Sequence, residues 1–222
     1  MKPIKLSPSS LSLFKYCPLC FWMDKVKGLG HPSGAFPSLP NGMDKILKHH
    51  FDSYRQRGAM PPELSELNGV KLFSDIELLT VWRNNFKGIS YHDPELDATL
   101  RGAVDDMLVD NGKLIVLDFK TRGFPVKEDT HESYQDQLNI YNYLLEKSGH
   151  EHENYAYLLF YYPEKVNTDG SVLFNTHLKK VHTKPANAEK LFRAAVKVLQ
   201  KDESPAAADD CDHCGFVRGR GS

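Results

Sequence analysis

The feature that most restricts how this chain folds is the placement of its four cysteines. They form two C-x-x-C pairs, Cys17/Cys20 near one end and Cys211/Cys214 near the other. A disulfide framework usually scatters its cysteines through a small secreted chain. Paired C-x-x-C spacing instead suits four thiolates converging on one metal centre, and no cysteine is left over. If the pairs share a centre, the last turn of the chain must return to the first helix. Closing so long a loop has a large entropy cost, which metal ligation offsets. The other reading is two unrelated pairs of free or redox thiols.

The 222 residues suffice for one sizeable domain. We divide them into residues 1–42 (a first helix, the first cysteine pair and a Gly/Pro-rich loop), a core over 43–201, and the second pair with its tail over 202–222. Net charge is -1, so a whole-molecule basic field for nucleic acid is absent and any such binding needs a local patch. Arg101, Arg122, Lys127 and Lys184 are available for one. Met1-Lys2-Pro3-Ile4-Lys5 is followed by no apolar h-region, and the longest apolar run, Ala156 to Tyr162, is too short to span a bilayer. The expected setting is cytoplasmic, with no membrane partner.

Periodicity places helices after Ser7-Pro8, over Met43–Arg57, Asp75–Phe86, Thr130–Lys147 and Pro185–Lys201. The intervening Gly28–Gly42 reads as loop and Gly219–Ser222 as a frayed tail. Strands are expected over Asp97–Val109, Lys113–Lys120, Tyr155–Tyr162 and Val172–Val181. Helices and strands thus interleave around a mixed sheet, an α/β or α+β class.

The hairpin signal Asp110-Asn111-Gly112 sets a register. With a two-residue loop at Asn111-Gly112, Asp110 faces Lys113, Met107 faces Val116 and Asp105 faces Asp118. Lys120 lies two residues on, on the face of Asp118. Opposed side chains in such pairs have Cβ atoms roughly 4.5–5.5 Å apart, so two ionised aspartates there need a compensating cation. A hard divalent ion held by carboxylates and waters fits, with Lys120 close enough to orient a bound water. The alternative is a solvated hairpin end, with Asp105 or Asp106 simply outside. On the long helix, Gln137 and Tyr141 stand at i and i+4, with Tyr134 a turn earlier.

Gly102-Ala103-Val104-Asp105, Asp118-Phe119-Lys120-Thr121 and Gln137-x-x-x-Tyr141, in that order, resemble the PD-(D/E)XK nuclease superfamily, most of all its RecB-like branch of helicase–nuclease modules and CRISPR-adaptation exonucleases. Leu11 to Pro18 is similar to the start of branch members that carry an iron–sulfur cluster, and Cys211 to Phe216 to their closing motif. The resemblance implies a restriction-endonuclease-like mixed central sheet flanked by helices. It implies Mg²⁺ or Mn²⁺ held by Asp105, Asp118 and the backbone carbonyl of Phe119. Lys120 would position the attacking water, and Gln137 and Tyr141 would contact DNA or the outer shell of the site. It further implies a [4Fe–4S] cluster, with Zn²⁺ the alternative, on Cys17, Cys20, Cys211 and Cys214.

The expected activity is metal-dependent hydrolysis of DNA, as single strands or duplex ends, in repair, recombination or defence. The alternative is a catalytically inactive nucleic-acid-binding or scaffold module. Since no G-x-x-x-x-G-K-[ST] occurs, a helicase or repair subunit would be a separate chain. Two departures from the branch stand out. Its early-helix histidine, four residues after a glycine, falls on Ile46 here, leaving His49, His50, Asp44 and Lys48 as possible substitutes. The cysteines are split two and two rather than one and three.

Overall fold

The computed structural model describes residues 3–32, 34 and 37–219. Residues 220–222 of the expected frayed tail, and Met1 and Lys2, lie outside them. The elements are β1 (Ile4–Leu6), α1 (Pro8–Tyr16), α2 (Pro18–Lys27), α3 (Ser38–Gln56), β2 (Lys71–Leu72), α4 (Ile76–Trp82), β3 (Ile89–Asp93), β4 (Ala98–Gly102), β5 (Asp106–Asp110), β6 (Lys113–Thr121), α5 (Gln135–Lys147), β7 (Tyr155–Val166), β8 (Val172–His182), α6 (Pro185–Leu199) and α7 (Asp212–Gly219). They build two mixed sheets, β1-β4-β3 and β2-β5-β6-β7-β8.

The sheets sandwich α5. Eight consecutive residues, Leu138 to Leu145, are buried in it, because a helix packed on several sides has no face left for water. Its core takes Leu114 and Val116 from β6, Leu158 and Phe160 from β7, and Ala98 and Leu100 from β4. The opposite face of the large sheet, carrying Ile115, Leu117 and Phe119, packs on Leu47 and Phe51 of α3. Alternate residues of β6 therefore serve two cores, as expected of a strand buried on both faces.

Local chemistry explains where the elements stop. Ser7 caps α1 by accepting from the Ser10 N–H. Pro18 excludes the helical conformation at Cys17, whose φ of -156° breaks α1 from α2. The helix expected from Met43 begins at Ser38, because Pro40 falls in its first turn, where a missing N–H costs nothing. Asn111 and Gly112, with φ of 47° and 84°, make the primed hairpin turn.

Other expectations are corrected. The single strand over Asp97–Val109 is two: β4 pairs with β3 in the small sheet and β5 with β6 in the large one. Ala103–Asp105 carries the chain between sheets, and the Val104 N–H bonds to the Trp82 carbonyl (3.1 Å). The helix over Asp75–Phe86 shrinks to Ile76–Trp82, and that over Thr130–Lys147 opens with a 3-10 turn through Tyr134. Strands β1, β2 and β3 are too short for periodicity to reveal. No described helix is long and apolar enough to cross a membrane.

Candidate active site and cysteine centre

The hairpin ladder runs in the expected register, from Asp110 opposite Lys113 to Asp106 opposite Leu117. There β5 ends, so Asp105 is not a ladder residue opposite Asp118. Its carboxylate does the work of the missing backbone: Asp105 Oδ2 accepts from the Phe119 N–H at 2.9 Å. In this register the N–H and carbonyl of Phe119 both point towards β5. The donor that the carbonyl would have met, the Val104 N–H, is already taken by Trp82. Asp105 thus stands at the end of β5 on the Phe119 N–H, close enough to Asp118 to raise its carboxyl.

Asp118 is 1% exposed and ion-pairs with Lys120. Burial pushes its carboxyl up to about 7; Lys120 and Lys48 pull it down and Asp105 pushes it up. The charges of Asp118 and Asp105 hold the Lys120 ammonium above its ordinary range, against its own burial. Lys120 also lies over the Tyr134 ring (4.8 Å to the centroid). Gln137 Nε2 donates to the Tyr141 hydroxyl at 2.7 Å, which leaves the Tyr141 O–H free to donate. Burial and both aspartates raise that hydroxyl well above its normal range, so it stays protonated.

Gly102 explains why a glycine opens this run of sequence. A Cβ there would meet the Tyr141 ring at 2.8 Å. The backbone of β4 and the ring of Tyr141 could then not approach, and the ring would leave the carboxylates.

Where the RecB-like branch places its histidine, Ile46 is 64% exposed. His49 is exposed, and His50 pairs with Glu63 at 3.1 Å. Neither histidine meets the aspartates. Lys48 does: its ammonium lies 3.3 Å from Asp105 Oδ1 and 2.7 Å from Asp44.

Sequence reasoning missed the support beneath Asp105. Asp106, fully buried, is held by Arg55 and by Arg83 at 2.8 Å. Desolvation raises its carboxyl, against the pull of both guanidiniums. Asp52 bridges the same two arginines. Arg83 also donates to the Asp105 carbonyl at 2.8 Å, which fixes the backbone of the site. Arg55 and Arg83 lie on or beside helices far from Asp106 in sequence, and no local spacing signals such a network.

The four cysteines meet. All are buried, and their Sγ atoms lie within 4.8 Å of one another. Cys17–Cys214, Cys20–Cys211 and Cys20–Cys214 are 3.8, 3.7 and 3.5 Å apart. Burial pushes the Cys17 thiol up, but hydrogen bonds from the Cys20 and Ala208 backbone and from neighbouring thiols bring it down to about 7. Burial pushes Cys20 and Cys214 up instead. Cys17 ionises readily while Cys20 and Cys214 resist, so their thiolates coexist only around a cation. The donor set therefore suits a metal, and it ties α1 and α2 to α7.

No curated protein matches the chain. The family profile of the PD-(D/E)XK nuclease superfamily matches residues 5–218, nearly everything between the two ends that the cysteines join, and the chain belongs to that superfamily.

Proposed function

We propose that this chain is a divalent-metal-dependent DNA nuclease of RecB-like type, with residues 1–222 forming one domain. What supports the reading is the Asp105 carboxylate on the Phe119 N–H, beside the buried Asp118–Lys120 pair, at the point where β5 leaves β6. The two carboxylates and the Phe119 carbonyl, all oxygen donors, suit Mg²⁺ or Mn²⁺. A cation bound there supplies Lewis-acid polarisation and a water of lowered pKa.

The chain's own groups would do the rest. Lys120, held charged beside Asp118, orients the attacking water and faces the charge that builds on the phosphate. The Tyr141 hydroxyl, fixed by Gln137, donates to the same region. Gln137 and Tyr141 would also limit how closely DNA approaches. The substrate would be a single strand or a duplex end. Strand separation, in repair, recombination or defence, would fall to a separate helicase or repair subunit, in the cytoplasm.

At the cysteines the sulfur spacing supports a single ion. Four thiolates around Zn²⁺ at about 2.3 Å form a tetrahedron with edges of roughly 3.8 Å. A [4Fe–4S] cluster puts each thiolate on its own iron and spreads the sulfurs further apart. We therefore read the centre as zinc, with the cluster implied by the resemblance as the alternative.

Lys48 favours a second reading, an inactive nucleic-acid-binding module. An ammonium 3.3 Å from Asp105 neutralises that carboxylate without a metal. One assay separates the two: purified protein with single-stranded and duplex DNA, in Mg²⁺, in Mn²⁺ and in EDTA. Cleavage in either metal and none in EDTA is expected. Binding without cleavage in every condition would leave the inactive module.

A further inference from the structure

Two rows of side chains lead across the large sheet from the candidate site. In the register of β6, β7 and β8, Asp118 pairs with Leu158 and Leu158 with Lys179. One step along, Lys120 pairs with Phe160 and Phe160 with His177. Direct partners share a face of a sheet. Lys179 and His177 therefore stand on the same face as Asp118 and Lys120, two strand spacings away, or roughly 10 Å. The residues between, Leu158 and Phe160, are fully buried, so that stretch offers no charge of its own.

Lys179 and His177 line a pocket of 170 Å³ whose other wall is Val126, Lys127, Glu128 and His131. That wall belongs to the segment that follows β6 after Thr121. It is folded back on itself: the Lys127 N–H donates to Thr130 Oγ1 at 2.9 Å, and His131 Nδ1 lies 2.9 Å from the Glu128 carbonyl. Two lysines and two histidines converge there against one acid. Arg122 lies at the same end of β6, over the Phe160 ring (6.0 Å). The volume is ample for a phosphate, and the excess of basic side chains favours an anion.

We propose that this pocket holds a second phosphate of the strand whose backbone lies at Asp118 and Lys120. The recognised chemistry is a phosphate oxyanion, either a terminal monoester or an internal diester a short way from the scissile one. The proposal rests on the nuclease reading for the position of the first phosphate. The pocket would set where along the strand the scissile bond falls.

Binding measured in EDTA tests it without cleavage. Short single-stranded oligonucleotides carry a phosphate or a hydroxyl at the 5′ end, or at the 3′ end, and a further series carries one methylphosphonate at successive linkages. Fluorescence anisotropy gives the affinities for the natural chain and for Lys127→Gln/Lys179→Gln. Two charge-assisted hydrogen bonds predict a preference of about fivefold or more. A preference for one phosphorylated end identifies a terminal monoester. A loss of similar size at one methylphosphonate, without end preference, identifies an internal diester. In either case the double variant erases the effect.

Oligonucleotides that bind equally well whatever their ends and linkages would overturn the proposal, as would a double variant that keeps the preference. Should the double variant not fold, the natural chain's response to the same oligonucleotides still decides. Because no divalent ion is available to the aspartates in EDTA, a chain that senses the phosphate but never cleaves in Mg²⁺ or Mn²⁺ would sink the nuclease reading alone. One that cleaves but senses no second phosphate would sink the pocket alone.

Discussion

The aspartate site and the cysteine centre both gather groups that repel one another when ionised, yet they are built in opposite ways. Asp105 and Asp118 come from one hairpin, and each already has an ammonium against it, Lys48 and Lys120. Cys17 and Cys214 come from opposite ends of the chain, and the cysteine cluster packs against the partly buried apolar side chains of Leu13, Leu19, Ala207 and Ala208. A site that lysines neutralise can fold empty and exchange its metal with solvent. Four buried thiols can ionise together only around a metal. We propose that the first serves chemistry and that the second holds the ends of the chain together.

Substitutions can break that contrast, beginning with the largest effect. Asp118→Asn should lower cleavage by about 10²–10³-fold or more while the chain stays folded. Added Mn²⁺, which should raise the melting temperature of the natural chain by binding the folded state, should no longer do so. Thermal unfolding monitored across a Mn²⁺ series, beside a cleavage time course, checks both. A variant that still responds to Mn²⁺ would place the metal elsewhere.

Cys211→Ser should do the reverse. Loss of one ligand weakens the centre by on the order of 4 kcal/mol, or roughly 8–16 °C in melting temperature for a chain of this size. The specific activity of the molecules that remain folded should hardly change. Metal content per chain, measured with the melting curve, should fall in step.

The smallest effect sharpens the contrast through pH. Burial pushes the Asp118 carboxyl up to about 7 in the folded chain, well above an ordinary aspartate at about 3.9. The folded state then binds the extra proton, so the metal-free chain loses stability as pH rises between those values. Metal must displace the same proton, so cleavage should rise with pH towards a plateau above about 7. Lys48 pulls the Asp118 carboxyl down. Lys48→Met should therefore move the rising limb upward, by on the order of half a unit. A pH–rate profile of the two proteins reads the difference, and a downward move would contradict the assigned role of Lys48.

What was legible in the sequence was local. Asn111-Gly112 dictates a turn with two positive φ angles, and counting back from it reproduces the ladder as far as Asp106 and Leu117. The same counting overshoots at Asp105, because nothing in the local pattern says that the Val104 N–H will be drawn away by Trp82. Gln137 and Tyr141 are legible because helical spacing is rigid, and the cysteines because unbonded thiols in matched pairs have few other uses. The Arg55–Asp106–Arg83–Asp52 network is not, since its members join only after α3, α4 and β5 have packed. Lys48 stood among four possible substitutes for the histidine. Only the path of α3 past the end of β5 separates it from His49 and His50.

The most direct measurement takes the protein with its cysteine-bound metal counted, dialyses it against EDTA, counts that metal again and assays DNA cleavage before and after adding back Mn²⁺ alone. We expect cleavage to vanish in EDTA and to return with Mn²⁺, while close to one zinc per chain remains bound and the melting temperature holds. Cleavage that persists in EDTA, or cleavage that returns only when the cysteine-bound metal is restored, would contradict the separation of a chemical site at Asp105 and Asp118 from a structural one at the cysteines.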